Sequence, residues 1–354
     1  MSPRVFARSP SIFSNLPLDT LEIVLRHVGP ADLTSVCRVS KIFSPRALDA
    51  LYRDVVLTDS HSLKACFSIL DDPRLAARVK CLAIHSHSGA GSFYGVIQET
   101  LTVLTNLRVL ELFLGEGCEW ILPVDACPFQ LHAFSTDFQY TPDVGTFIAG
   151  QHVIKELKVS WAGGPNYFGN LEFLGLRCLS TIRAPFSLVE ALVPGRPVEE
   201  VATFRDRIDI HPNRINALAN STAISGIQRL QINLHFLHAI GPEFLAQAIP
   251  SLTCLVVTCG EPKGYNLGEW TTSFLASFPS LHCFKAVIEP HLWHSEYPHL
   301  PPPPLSEEQG LQYFSISNFG SMHLRGYVRT RCGKEWAHCS TDERNWLLAH
   351  STFD

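Results

Sequence analysis

The chain has 354 residues, 46% of them hydrophobic and 17% charged, with a formal net charge of −5 and a pI near 6.3. That balance excludes a disordered protein, and the length allows two domains or one elongated one. The charge gives no electrostatic case for nucleic acid, and no apolar run approaches the ~20 residues needed to span a bilayer, so neither nucleic acid nor membrane is an expected partner.

Residues 1–13 read as a flexible arm. The opening MSPRVFARSPSIFSN contains Pro3 and Pro10 and no continuous apolar stretch, so no secretory signal is expected, and Arg4 and Arg8 are too few to make a basic tail. The eleven cysteines are odd in number and scattered, which suits reduced thiols in the cytosol or nucleus. Cys81, Cys254 and Cys283 sit in apolar strand-like segments and read as small core residues.

Residues 14–57 read as three short amphipathic helices. After Pro17, the residues Leu21, Val24, Leu25 and Val28 fall at i, i+3, i+4 and i+7 on one helical face. Asp19 and Glu22 lie near its start, where the macrodipole favours anions, and Gly29-Pro30 ends it. A second helix from about Ala31 places Leu33, Val36 and Cys37 on one side. Ser44-Pro45 reads as an N-cap followed by a proline at the first helical position, with Ala47, Leu48 and Leu51 continuing that helix into an apolar strand. Such short helices bury little surface and need a partner or a neighbouring domain.

The order Leu16-Pro17, Asp32-Leu33, Val39-Ser40-Lys41 with Phe43, and Leu51-Tyr52-Arg53 resembles an F-box. Asp19 is a departure, standing where a glutamate is common. F-boxes bind the Skp-type adaptor of a cullin–RING ubiquitin ligase. By position the resemblance implies that Leu16, Pro17, Leu21, Val24 and Leu25 face the adaptor, with Leu33, Val39 and Phe43 completing the contact.

Over 58–320 one pattern recurs: an apolar residue, two others, an apolar residue, one other, and a small or apolar residue. It begins at Val79, Leu107, Leu131, Ile154, Leu179, Val198, Ile227, Leu252, Leu281 and Leu311, with starts 19 to 30 residues apart. Helix-like returns stand between several of these, in GVIQETLTVLTN, RINALANSTAI, PEFLAQAIP and WTTSFLASFP. Leucine-rich repeats have this period, a strand and a helical return per unit, and a core made by stacking neighbours. The asparagine expected after each strand is mostly missing, so the repeat is degenerate and its boundaries between 160 and 200 are loose. The predicted fold is therefore α/β: a small N-terminal helical F-box followed by a leucine-rich-repeat-like solenoid. A conventional α/β domain is the alternative, and recurrence over ten units favours the solenoid.

The segment LVPGRPVEEV, 192–201, resembles a stretch of many fungal F-box proteins with such repeats, where it serves as a return and a strand. The proline-laden 291–310 reads as a long surface loop, and long loops on rigid scaffolds often carry recognition. Residues 321–354 read as a polar C-terminal cap with Trp336 and Trp346 buried; the alternative is a basic-aromatic patch of Arg325, Arg329, Arg331, Lys334 and the two tryptophans that binds an acidic partner or RNA.

Candidate chemistry is thin. GAGSFYG, Gly89 to Gly95, follows a strand and precedes a helix, with Glu111 further on, but its spacing is one residue longer than the dinucleotide fingerprint; a loop between repeats explains its glycines as well. Cys332 with His338-Cys339, and Cys81 with His85 and His87, each lack the four ligands of structural zinc, and the histidines 291, 294 and 299 fall in the proline-rich loop. Neither a G-x-S-x-G elbow nor a phosphate-binding loop occurs. No enzyme activity, cofactor or metal is expected. The resemblance implies a substrate-recognition subunit of an SCF-type ubiquitin ligase, held by adaptor and cullin through the F-box and by a target protein through the repeats. A repeat scaffold acting outside a ligase is the alternative, ahead of an unrecognised α/β enzyme.

Overall fold

A computed structural model describes residues 17–39, 41, 43–58, 62–85, 94–124, 127–160, 175–203, 212–259, 274–288, 311–318, 324–329 and 336–338. The GAGSFYG loop up to residue 93, the loop 291–310, Cys332, Cys339 and Trp346 lie outside these residues.

Three helices open the described chain: α1 (Leu18–Arg26), α2 (Pro30–Val39) and α3 (Ser44–Arg53). Proline stands at the N-cap of α1 and within the first turn of α3, where the missing N–H costs no helical hydrogen bond. The N-cap of α3 is Phe43, not Ser44, a shift of one residue from the sequence expectation. Leu25, Leu33 and Ala47, one from each helix, form a small core with Leu21, Val28, Val36, Cys37, Ala50 and Leu51 around it. This core is separate from that of the rest of the chain.

Helix α3 passes without a loop into β1 (Asp54–Thr58), the first strand of a thirteen-stranded sheet arranged in chain order. The following strands are β2 (Cys81–His85), β3 (Val109–Phe113), β4 (Ala133–Thr136), β5 (Glu156–Val159), β6 (Thr181–Ala184), β7 (Glu200–Thr203), β8 (Arg229–Asn233), β9 (Cys254–Cys259), β10 (Cys283–Ile288) and β11 (Tyr313–Asn318). These eleven pair in parallel. Two more, β12 (Leu324–Arg329) and β13 (Trp336–His338), pair antiparallel and extend the sheet within 321–354.

All ten sequence motifs become strands β2 to β11, each beginning at the motif's third residue. The fourth residues, Leu82, Leu110, Phe134, Leu157, Ile182, Val201, Leu230, Leu255, Phe284 and Phe314, are Cα partners across successive strands. Every one is at most 2% exposed. The first residues, from Val79 to Leu311, are as deeply buried and form a parallel ladder. Burial of one such side chain is worth about 1.5–3 kcal/mol, and stacking makes the ladder continuous. Phenylalanines thicken this core: Phe134 and Phe147 meet edge-on at 5.3 Å, and Phe284 stacks on Phe314 at 5.7 Å.

Helices cover the buried face between strands: α4 (Ser62–Asp71), α5 (Pro73–Ala76), α6 (Tyr94–Val103), α7 (Pro142–Ala149), α8 (Phe186–Leu192), α9 (Asn216–Ala219), α10 (Leu234–Ile240) and α11 (Pro242–Ala248). Short 3₁₀ turns at Glu119–Ile121 and Pro212–Ile215 serve the same purpose. The 192–201 segment is scaffold, as expected: it ends α8, turns at Gly195 with φ +73°, and leads into β7. Where the repeat lacks asparagine, other side chains take the backbone donors. The fully buried Gln151 accepts from Leu131 N–H at 2.8 Å, and the Asp137 carboxylate accepts from Leu114 and Gly115 N–H at 3.1 and 3.0 Å. No helix among the described residues is long and apolar enough to cross a membrane.

Candidate functional site

Two surfaces stand out, one on the helical unit and one on the sheet. On α1, Leu21, Leu25 and Val28 turn toward the small core, which leaves Ile23 and Val24 as adjacent apolar side chains at 57% and 51% exposure. Pro17, the N-cap of the same helix, is also exposed. Leu25 and Leu33, both 4% exposed, are used inside the unit. Phe43 is half-buried at the start of α3; Leu16 and the side chain of Val39 lie outside the description. Ile23 was invisible to the sequence reading, because it stands off the i, i+3, i+4, i+7 stripe. The end of α1 is tied by an exposed Arg26–Glu22 pair at 2.7 Å, whose guanidinium holds the Glu22 carboxyl below its ordinary pKa.

The sheet presents its second face outward, with the third and fifth motif residues in rows. Over β2 to β6 this face is hollowed into a groove of about 930 Å³, lined by His85, Glu111, Phe113, Lys155, Lys158 and Arg183 among others. The groove is wide and mixed in charge. His85 Nε2 stands 3.6 Å from Glu111 Oε2 and its ring 5.0 Å from Phe113, while Lys158 Nζ lies 5.8 Å from the centre of the Phe113 ring. No group of three or more His, Cys, Asp or Glu among the described residues is arranged to hold a metal ion.

Further along the same face the composition changes. Cys254 and Cys283 are Cα partners on β9 and β10, beside Arg229, which is held by Glu200 at 2.9 Å. The hydrogen bond between the two thiols raises the Cys283 pKa and, with Arg229, lowers that of Cys254. Cys81 opens β2 on the same row, its thiol pushed up to about 12 by burial and by Asp54. Of the three cysteines expected to be small core residues, Cys254 is buried, whereas Cys81 and Cys283 are only partly buried, all three standing on the row of third motif residues.

Residues 13–44 match the F-box domain. The chain thus carries an N-terminal F-box, made of α1, α2 and the turn into α3; the remainder of α3 lies beyond the matched stretch, although its Ala47 completes the same core. The crystal structure of the leucine-rich repeat-containing protein LegL7 from Legionella pneumophila is similar over 90% of this chain and 88% of that one, at 11% identity and a TM-score of 0.37. No curated protein matches the chain in sequence.

Proposed function

We propose that the protein is a non-catalytic substrate receptor of an SCF-type ubiquitin ligase, working in the cytoplasm or nucleus. The F-box binds the Skp-type adaptor and through it the cullin, and the outward face of the sheet holds a target protein. The observation that carries this reading is the F-box match at residues 13–44, placed directly ahead of a sheet whose open groove is broad enough for a polypeptide. The mechanism is proximity: holding a target beside a charged ubiquitin-conjugating enzyme raises the effective concentration of its lysines.

On the F-box, Pro17, Ile23 and Val24 make the direct contact together with Leu16, Val39 and Phe43, while Leu21, Leu25 and Leu33 hold α1 and α2 in the geometry that presents them. Co-purification of the full chain with the adaptor and the cullin tests this. Binding that is lost on Ile23→Glu with Val24→Glu supports the reading. Absence of adaptor binding by the unaltered chain refutes it, and adaptor binding with no cullin in the complex points to a scaffold acting outside a ligase.

A further inference from the structure

Four successive repeats carry a basic residue at the same place, the second motif position: Lys80, Arg108, His132 and Lys155. The structure turns this sequence coincidence into a strip. Arg108 N–H donates to Lys80 C=O at 2.7 Å, His132 N–H to Arg108 C=O at 2.6 Å, and Lys155 N–H to His132 C=O at 2.8 Å. Neighbouring rungs are thus one strand spacing apart, roughly 4.8 Å, and four rungs extend over about 14 Å. The strip stops there: the next equivalents are Ser180 and then Glu199.

Fixed positive charges on neighbouring rungs, such as Lys80 and Arg108, repel one another unless an anion lies across them. Arg108, His132 and Lys155 are exposed and Lys80 is half-buried. Among the described residues, no carboxylate forms a salt bridge with Lys80, Arg108 or Lys155. Two of the rungs, His132 and Lys155, form the edge of the 930 Å³ groove, which adds Lys158 and Arg183 further in. The carboxylates nearby are partly engaged: both Asp137 oxygens accept backbone N–H groups, and Glu111 faces His85.

We propose that this strip and the adjoining groove bind an acidic segment of extended polypeptide, laid across β2 to β5 with its carboxylates on Lys80, Arg108 and Lys155. An extended chain advances about 3.3 Å per residue, so about five residues cover the strip. A protein ligand is preferred to RNA on the receptor role proposed above; the carboxylates Glu111, Asp137 and Glu156 of the same groove oppose a uniformly charged polyanion and confine the ligand's acidic side chains to the basic strip. The inference rests on the proposed receptor role for its claim that this face is where a target binds, and it supplies the chemistry of that target.

Fluorescence anisotropy on the full chain tests it, using a labelled peptide with a run of about five glutamates, its glutamine twin, and a labelled single-stranded RNA. The expected result is binding of the glutamate peptide at least about tenfold tighter than the twin, weakening as salt is raised. Lys80→Glu with Arg108→Glu and Lys155→Glu abolishes that preference while the variant still captures the adaptor, which shows it is folded. A milder set, the same positions to Gln, keeps the test valid if the charge reversal does not fold. Equal binding of the two peptides, indifference to these substitutions, or tighter binding of RNA overturns the inference. Adaptor capture is read separately, so peptide binding without it refutes the receptor role and leaves the acidic-segment site standing.

Discussion

Leu25 and Val24 are neighbours on one helix, yet one is buried and the other exposed, and under the proposed function this separates folding from docking in the F-box. Leu25 is 4% exposed in a core whose fully formed part is only Leu25, Leu33 and Ala47; Val24 is 51% exposed. Truncating a buried leucine costs about 2.7–5.0 kcal/mol. The small unit can relax around the gap, so about 3 kcal/mol is expected for Leu25→Ala. At about 1.4 kcal/mol per decade, that raises local opening of the F-box roughly a hundredfold. The main core shares no buried residue with this one, so the repeat domain stays folded. Val24→Asp removes little buried area and changes stability by under about 0.5 kcal/mol. Hydrogen exchange across residues 18–53, read beside a residue in β8, is the assay: Leu25→Ala accelerates exchange in the helices alone, and Val24→Asp leaves it unchanged while abolishing adaptor capture. Equal loss of protection in both variants, or simultaneous loss in β8, would refute the two-core reasoning.

Three further substitutions probe the repeat scaffold. Gln151→Leu leaves the buried Leu131 N–H without its acceptor, and a loss of about 1–3 kcal/mol is expected as a lower urea midpoint at unchanged slope. Gly226 has φ +66°, and an added Cβ would run into Ser251 Oγ, so Gly226→Ala destabilises by about 1–2 kcal/mol from the backbone conformation alone and by more from the contact; Ser251→Ala in the same chain should recover at most part of the contact cost, because the Ser251 Cβ stays at 3.1 Å and the hydrogen bond from Ser251 Oγ to Ile227 C=O is lost. Ser315 is fully buried, and its hydroxyl has no hydrogen-bond partner among the described residues. Ser315→Ala is accordingly expected to be neutral or to stabilise by up to about 1 kcal/mol, and a melting temperature several degrees lower would contradict this.

The parallel strands were legible because the ladder needs little of the sequence. Three apolar positions in six residues suffice to fix a strand's face, and even Thr136 and Thr203 are accepted at the sixth position, where both are buried. Some returns were less legible: α8 is buried nearly all round and shows no amphipathic stripe. The strands β12 and β13 escaped notice because LRGYVR and WAH carry no repeat motif and pair antiparallel at the sheet's end. For the site, the F-box stripe was readable but not its orientation: the same apolar periodicity describes a face turned inward or outward, and only packing against Leu33 and Ala47 decides that Leu25 goes in and Ile23 stays out. The basic strip was hidden for a different reason. Its members lie 23 to 28 residues apart and become neighbours only once the repeat register is known.

That register also determines how the docking unit is carried relative to the sheet. Arg78 bridges the two units, donating from Nη1 to the Pro45 carbonyl at 2.9 Å and meeting Asp49 Oδ1 at 2.6 Å. Both side chains are partly exposed, at 25% and 49%, and a pair of that kind is worth about 0–1 kcal/mol. The stiffer connection is the chain itself: α3 runs into β1 at Arg53–Asp54 with no intervening loop, and Tyr52 packs against the main core. Arg78→Ala should therefore leave amide exchange over 51–58 unchanged, whereas Tyr52→Ala should raise it by loosening the junction. The opposite ranking would mean that the F-box is held by its surface ion pair, and the distance between adaptor and bound target would then vary with ionic strength.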